Sequence, residues 1–383
     1  MKIRTACFAG VLLAWCAVAQ GSEQFDLPVP ESAAQGVPPR VYDLTEPGKG
    51  DELAEALLDR RAVFIGEIHD RLDHHRNQLR LIEALYRRHP DLAIGVEYFQ
   101  QPFQRHLDDY LAGRISEKQM LVRTEYYKRW NLDYRMLRPI VEFARAKHLP
   151  LLALNISDEL HNKVFREGMG SLTTQERQQL PADIPPASAS YRARLQAIFD
   201  THPQGDNFQY FVEGQLLWDE SMAERAARHL QEHPGTHIVV LAGSGHMLYG
   251  DGIPRRLNRR LGAEDGAVLL NGDEFGDYGG IADYLLVAHG RESLPEQGRL
   301  GITMDGDERG VYIRQFPAGS AAQDAGMETG DYLMALDRTP VATSADVRSM
   351  MFDKQPGESV HVRVRREHLF GADEELEFEV RLR

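Results

Sequence analysis

Five short apolar blocks constrain this chain most: residues 62–68, 92–97, 149–154, 238–242 and 267–270 are each nearly continuous in hydrophobic character. Strands with one wet face alternate apolar and polar residues. Continuous blocks instead read as strands buried on both faces, as in a parallel sheet between helices. Helical patterns fall between the blocks, among them 77–87 and 136–147. This βαβα order predicts an α/β domain with a doubly wound, mainly parallel sheet. A further apolar block at 282–288 supplies its closing strand. Two stretches, 100–135 and 156–235, exceed a minimal unit. They are rich in helix formers, and Pro181, Pro185 and Pro186 punctuate the second, so both are expected to be helical insertions forming a subdomain beside the sheet.

The beginning of the chain reads as a targeting segment. Lys2 and Arg4 precede an apolar run from Ala9 to Ala19 that ends in the small-x-small triplet Ala17-Val18-Ala19. That run is shorter than the ~20 residues a bilayer span needs, so residues 1–19 are expected to be a cleaved signal peptide and the mature chain to lack a transmembrane span. Cys7 and Cys16 are the two cysteines, and both would leave with it. Disulfides, cysteine nucleophiles and thiolate metal sites then drop out. Lipidation of Cys16 is the alternative, but Trp15 stands where a small residue is wanted. Residues 20–40 form a proline-rich, extended lead-in. Lys plus Arg number 44 against 58 Asp plus Glu, a net charge of -14. Such a surface repels phosphate backbones, which argues against nucleic acid. The periplasm is the expected location.

In an open α/β sheet, ligands bind outside the carboxyl ends of the strands. Here those ends carry Glu67 and His69, then Glu97, Asn155, His246 and Asp273. Glu67 and His69 lie two apart and point the same way on an extended chain. Such a convergence can hold a metal, a charged ligand or an acid/base pair. Gly243-Ser244-Gly245-His246 lacks the features of a phosphate loop or a serine-hydrolase elbow. His74 and His75 follow Asp73, which reads as a helix cap with His75 solvated and His74 open between that and a metal role. Tyr126, Trp130 and Tyr134 are four apart, a stripe if helical, with basic residues nearby. The stripe is either core packing or a platform for a flat apolar ligand with acidic groups. Haem has that shape, and tyrosinate is one of its axial ligands.

The motifs Phe64-Ile65-Gly66-Glu67-Ile68-His69-Asp70, Gly95-Val96-Glu97, Trp130…Tyr134…Pro139, Leu154-Asn155, the run Gln215 to Ala223 and the run Gly243 to Pro254 occur in one order. On these, residues 41–290 resemble the ChaN-like haem-binding uptake family of the Tiki superfamily. The resemblance implies an α/β fold with a helical subdomain, and haem binding linked to iron acquisition. Candidate haem residues are His246 and Tyr249 in one glycine-rich loop, with Tyr126 and Tyr134 as alternatives. Superfamily relatives also imply a second reading, a metal-dependent, erythromycin-esterase-like hydrolase in which Glu67, His69, Glu97 and His246 hold a divalent metal ion or activate water. A non-catalytic envelope scaffold is the third, and a homodimer is compatible with all of them.

Residues 291–298, with Pro295 and Gly298 among charged residues, read as a linker. Residues 299–383 change texture to short alternating strands and one helix starting at Ser344. Leu300-Gly301-Ile302, followed by Ala318 through Leu333 with Gly326 and Gly330 at turns, resembles a bacterial PDZ domain. The resemblance implies a groove in which the C-terminal peptide of an envelope protein adds as a strand, its carboxylate held near Leu300, Gly301 and Ile302.

Overall fold

A computed structural model describes residues 37–201, 207–272, 279–290, 292–368 and 371–383. The expected signal peptide, both cysteines, most of the expected lead-in, Asp273 and the first residue of the expected linker lie outside the described residues. The strands are β1 (Arg40–Tyr42), β2 (Ala62–Glu67), β3 (Leu92–Gln100), β4 (Leu151–Asn155), β5 (His237–Gly243), β6 (Gly266–Gly272), β7 (Tyr284–Val287), β8 (Thr303–Asp307), β9 (Gly310–Gln315), β10 (Tyr332–Leu336), β11 (Thr339–Pro340), β12 (Ser359–Arg366) and β13 (Glu374–Arg381). The helices are α1 (Lys49–Ala56), α2 (Leu72–Arg88), α3 (Gln104–Leu111), α4 (Glu117–Arg123), α5 (Tyr126–Arg129), α6 (Arg138–Lys147), α7 (Asp158–Glu167), α8 (Thr174–Arg177), α9 (Ala189–Thr201), α10 (Phe208–Glu232), α11 (Ile253–Leu261), α12 (Ala321–Asp324) and α13 (Ser344–Met351).

The chain divides into two compact units that are not contiguous in sequence. One comprises the chain up to Ile115 together with Met136–Glu292; the other joins Ser116–Arg135 to Ser293–Arg383. A contiguous 41–290 domain did not anticipate that residues 116–135 fold with the C-terminal region.

In the first unit seven strands run in the order β1-β7-β6-β2-β5-β3-β4, all neighbours parallel. β2, β3 and β4 are buried along their whole length, which is why their sequences do not alternate. Ala62 and Phe64 of β2 pack with Trp218, Met222 and Ala226 of α10 and with Ile253 and Leu257 of α11 on one face. After β4 the chain turns back to place β5 between β2 and β3, then continues outward through β6 and β7. That reversal puts the carboxyl ends of β2, β5 and β3 side by side; Glu67 is in register with Gly243. β1, short and lying partly within the expected lead-in, went unread because three residues carry no pattern.

In the second unit β8 to β13 form a six-stranded antiparallel sheet around a core of Leu300, Val311, Val347, Val360 and Val380. Its order, β13-β12-β10-β9-β8, leaves β8 at an edge. Tyr126, Trp130 and Tyr134 do not share one helix. α5 ends at Arg129, Asn131 takes a left-handed φ of 62, and Tyr134 begins a separate turn. Tyr126 and Tyr134 still meet edge to face, and Tyr134 packs in the same way on Phe352 beyond α13. Of the two structural alternatives, the stripe is core packing.

Candidate functional site

The carboxyl ends of the central strands hold a buried chain of alternating charge. Glu67 Oε1 lies 2.9 Å from His69 Nδ1. His69 Nε2 faces Glu97 Oε2 at 4.0 Å. Glu97 Oε1 in turn faces His246 Nε2 at 3.6 Å, and His246 Nδ1 is 2.6 Å from Asp219 Oδ1. Asp219 also accepts from the Tyr191 hydroxyl at 2.6 Å. Each histidine is therefore oriented at Nδ1 by its own carboxylate, and both Nε2 atoms point at Glu97. Glu67, His69, Glu97 and His246, read together from sequence, do meet here.

Gly243 makes room for this. Its N–H donates to Glu97 Oε2 at 2.8 Å, and a Cβ there would stand 3.0 Å from His69 Nε2. Burial opposes the charge on Glu67, His69, Glu97 and His246, yet the neighbours win. Burial would lower His246, but Glu97 and Asp219 push it up to about 10. Burial would raise Glu67, but His75 and His69 hold its carboxyl at about 2. His69 is raised and Glu97 lowered against burial in the same way.

The sign of the pH dependence follows. A histidine raised from 6.5 to about 10 contributes stability that is complete below 6.5 and is lost as pH rises through 10. Urea unfolding of the whole chain is therefore expected to show falling stability from pH 6.5 to 10. A flat profile over that range would contradict the charged state assigned to His246.

Two side chains differ from their sequence reading. His75 is not solvated. It is buried within α2, its Nδ1 lies 3.2 Å from Glu67 Oε2, and its Nε2 lies 3.0 Å from the His69 carbonyl. Arg71 rather than Asp73 occupies the N-cap position, with no side-chain capping hydrogen bond. Asp73 is instead inside the first turn, paired with Arg71 at 2.5 Å, and that pairing lets the helix start sink beneath the strands. His74 is buried too, accepts from the Ile68 N–H at 3.0 Å, and is lowered to about 4 by burial. Asp219 and Tyr191 were not singled out. The available signal was a carboxylate directly after the apolar triplet Leu216-Leu217-Trp218.

Among the described residues no group of three or more His, Cys, Asp or Glu side chains is placed to hold a metal. The carboxylates on both Nδ1 atoms leave the two Nε2 atoms facing Glu97.

His246 and Tyr249, expected to act together, part company. His246 is buried against Glu97 and Asp219, whereas Tyr249 lines a cavity of about 1130 Å³. Tyr249 has a φ of 57, a costly conformation for an aromatic residue, and its N–H is tied to the Ile281 carbonyl at 2.9 Å. Arg194, itself ion-paired with Asp251, lies over the Tyr249 ring at 4.6 Å. Arg40, Arg60, Arg255 and Arg259 also line the cavity. It reaches residues at the amino ends of β6 and β7, so it is not confined to the carboxyl-end crevice.

The family model described as haem-binding uptake, Tiki superfamily, ChaN matches residues 53–257, more than half of the chain. The chain belongs to the ChaN family. A second family model, the PDZ domain, matches residues 298–382 of this ChaN-like chain. A solved structure of ChaN from Campylobacter jejuni, described by its cofacial haem binding, shares 18% identity over 63% of this chain and 92% of its own, with a TM-score of 0.50. At that identity the likeness shows the fold. An erythromycin esterase, EreC, is less similar, at 15% identity over 61% of this chain and 76% of its own, with a TM-score of 0.40. Serine protease Do-like HtrA of Bacillus subtilis (strain 168) is 31% identical over 79 residues, 20% of this chain. This chain spans only 18% of that relative's length.

Proposed function

We propose that this ChaN-like protein binds haem in the Tyr249 cavity, as an exported protein serving iron acquisition, while its PDZ module takes the C-terminus of an envelope protein. The observation that carries the first part is Tyr249, held in a strained conformation at a large cavity with the Arg194 guanidinium over its ring. Strained backbone collects at functional sites. A tyrosine oxygen is one of the protein groups that ligate haem iron. The volume, at or above the ~300–1,000 Å³ common for cofactor sites, suits a broad planar ring. Arg40 and Arg60, which have no ion pair among the described residues, suit its propionates. When bound, haem supplies the iron. The protein's residues would orient the ring, neutralise its acids and provide an oxygen ligand.

Haemin titrated into the full chain is expected to give a saturable Soret shift with defined stoichiometry. Association no stronger than with an unrelated acidic protein would overturn the proposal.

A specific observation favours a second reading, hydrolysis. Beside His246 the buried His161 Nε2 and Trp218 Nε1 have no hydrogen-bond partner among the described residues. Buried polar atoms of this kind call for a polar guest. With Glu97 between two oriented imidazoles, the crevice has the parts for acid–base attack by water on an ester. On this reading the full chain hydrolyses p-nitrophenyl acetate and Glu97→Gln does not. Equal rates in the two proteins would remove it.

A further inference from the structure

Residues 116–135 lie, by sequence, in the middle of the haem-binding part, yet they fold against the PDZ module. Lys118 bonds the Met350 carbonyl at 3.2 Å and pairs with Asp353 at 2.9 Å. Arg348 of α13 lies over the Tyr127 ring at 4.6 Å and donates to the Asn131 carbonyl at 3.1 Å. Arg135 reaches the Pro295 carbonyl at 2.8 Å. These contacts run along α13, the helix that forms one wall of the expected peptide groove.

The groove itself is a cavity of about 430 Å³ between α13 and the edge strand β8. At one end Gly301, with a φ of +72 and its Cβ direction blocked 2.8 Å away by Ser320 Cα, holds open the loop whose backbone N–H groups can take a carboxylate. Val347, Met351 and Ile302 supply an apolar lining. Two further lining residues, Tyr127 and Asp133, come from the inserted segment.

We infer that the peptide site is composite, with Tyr127 and Asp133 contacting the last residues of the bound polypeptide and setting which terminal side chain is admitted. This rests on the reading of the module as a binder of peptide C-termini. The occupant is an extended chain end with a free carboxylate and an apolar last residue. The carboxylate suits the Gly301 loop with Arg299 alongside, and the last side chain suits the pocket of Val347, Met351 and the Tyr127 ring. A pocket bounded by a fixed aromatic wall limits side-chain size, because a buried ring held by Arg348 does not yield without loss of packing. Asp133, paired with Arg135 at 2.7 Å, keeps its place at the rim.

The test uses the full chain and a random library of peptides with free C-termini. Wild type is expected to select peptides with an apolar final residue. Tyr127→Ala is expected to shift that selection to larger final side chains and to weaken the wild-type peptide about tenfold. As a readout independent of any folding defect, a selected peptide ending in benzoylphenylalanine is expected to crosslink wild-type protein within residues 124–135. If Tyr127→Ala and Asp133→Ala leave the selection unchanged and crosslinks fall only after residue 293, the composite site is wrong while peptide binding stands. If wild type selects no C-terminus and Gly301→Val changes nothing, the peptide reading itself fails.

Discussion

Tyr249→Phe is expected to weaken haemin binding by roughly 100-fold, the upper end of what single changes around a metal site cost. Phenylalanine keeps the ring, and with it the packing beneath Arg194, and removes only the oxygen that would ligate iron. The backbone cost of a φ of 57 is the same for both residues, so stability should change little. A protein that binds haemin less tightly with unchanged unfolding behaviour would separate ligation from folding. Arg194→Ala is the companion variant. Removing the guanidinium takes away the cation over the ring and should weaken haemin binding less than loss of the phenol oxygen does.

The largest expected effect on stability belongs to His246→Ala. It leaves Glu97 and Asp219, both fully buried, facing each other's surroundings without the imidazolium between them. Removing one partner of a buried ion pair costs about 3–5 kcal/mol, because the other charge stays out of water uncompensated. For a unit of this size that is a fall in Tm of roughly 6–20 °C. Glu97→Gln should cost less in isolation, since it removes an acceptor from two cations that retain Glu67 and Asp219 as partners. Thermal unfolding of both variants checks the order. A His246→Ala protein as stable as wild type would mean the alternating charges are not coupled as their spacing indicates.

Much of the first unit was legible because its physics is local. Strands buried on both faces must be continuously apolar, and those in the blocks at 62–68, 92–97 and 238–242 differ from the observed elements by no more than a few residues at an end. Glu67, His69, Glu97 and His246 were legible because polar residues ending apolar strands have few other reasons to be there. What was hidden depends on distant partners. Burial of His75 needs the Arg71–Asp73 pair to neutralise the helix start, which a capping pattern at Asp73 obscured. Arg194 reaches Tyr249 from a helix more than fifty residues earlier. The path of 116–135 is set by Arg348, Phe352 and Asp353, over two hundred residues away. For Tyr126 and Tyr134 the spacing was a true hydrophobic signal, but it did not say which core the rings enter.

On the proposed function haem is held through the Tyr249 oxygen in the arginine-lined cavity. Resonance Raman spectra of the haemin-loaded full chain test it most directly, excited in the band where tyrosinate donates to ferric iron. Phenolate ring modes are expected in the wild-type spectrum, to vanish in Tyr249→Phe and to persist in Tyr126→Phe and Tyr134→Phe. A wild-type spectrum of histidine-ligated haem, unchanged in Tyr249→Phe, would contradict it.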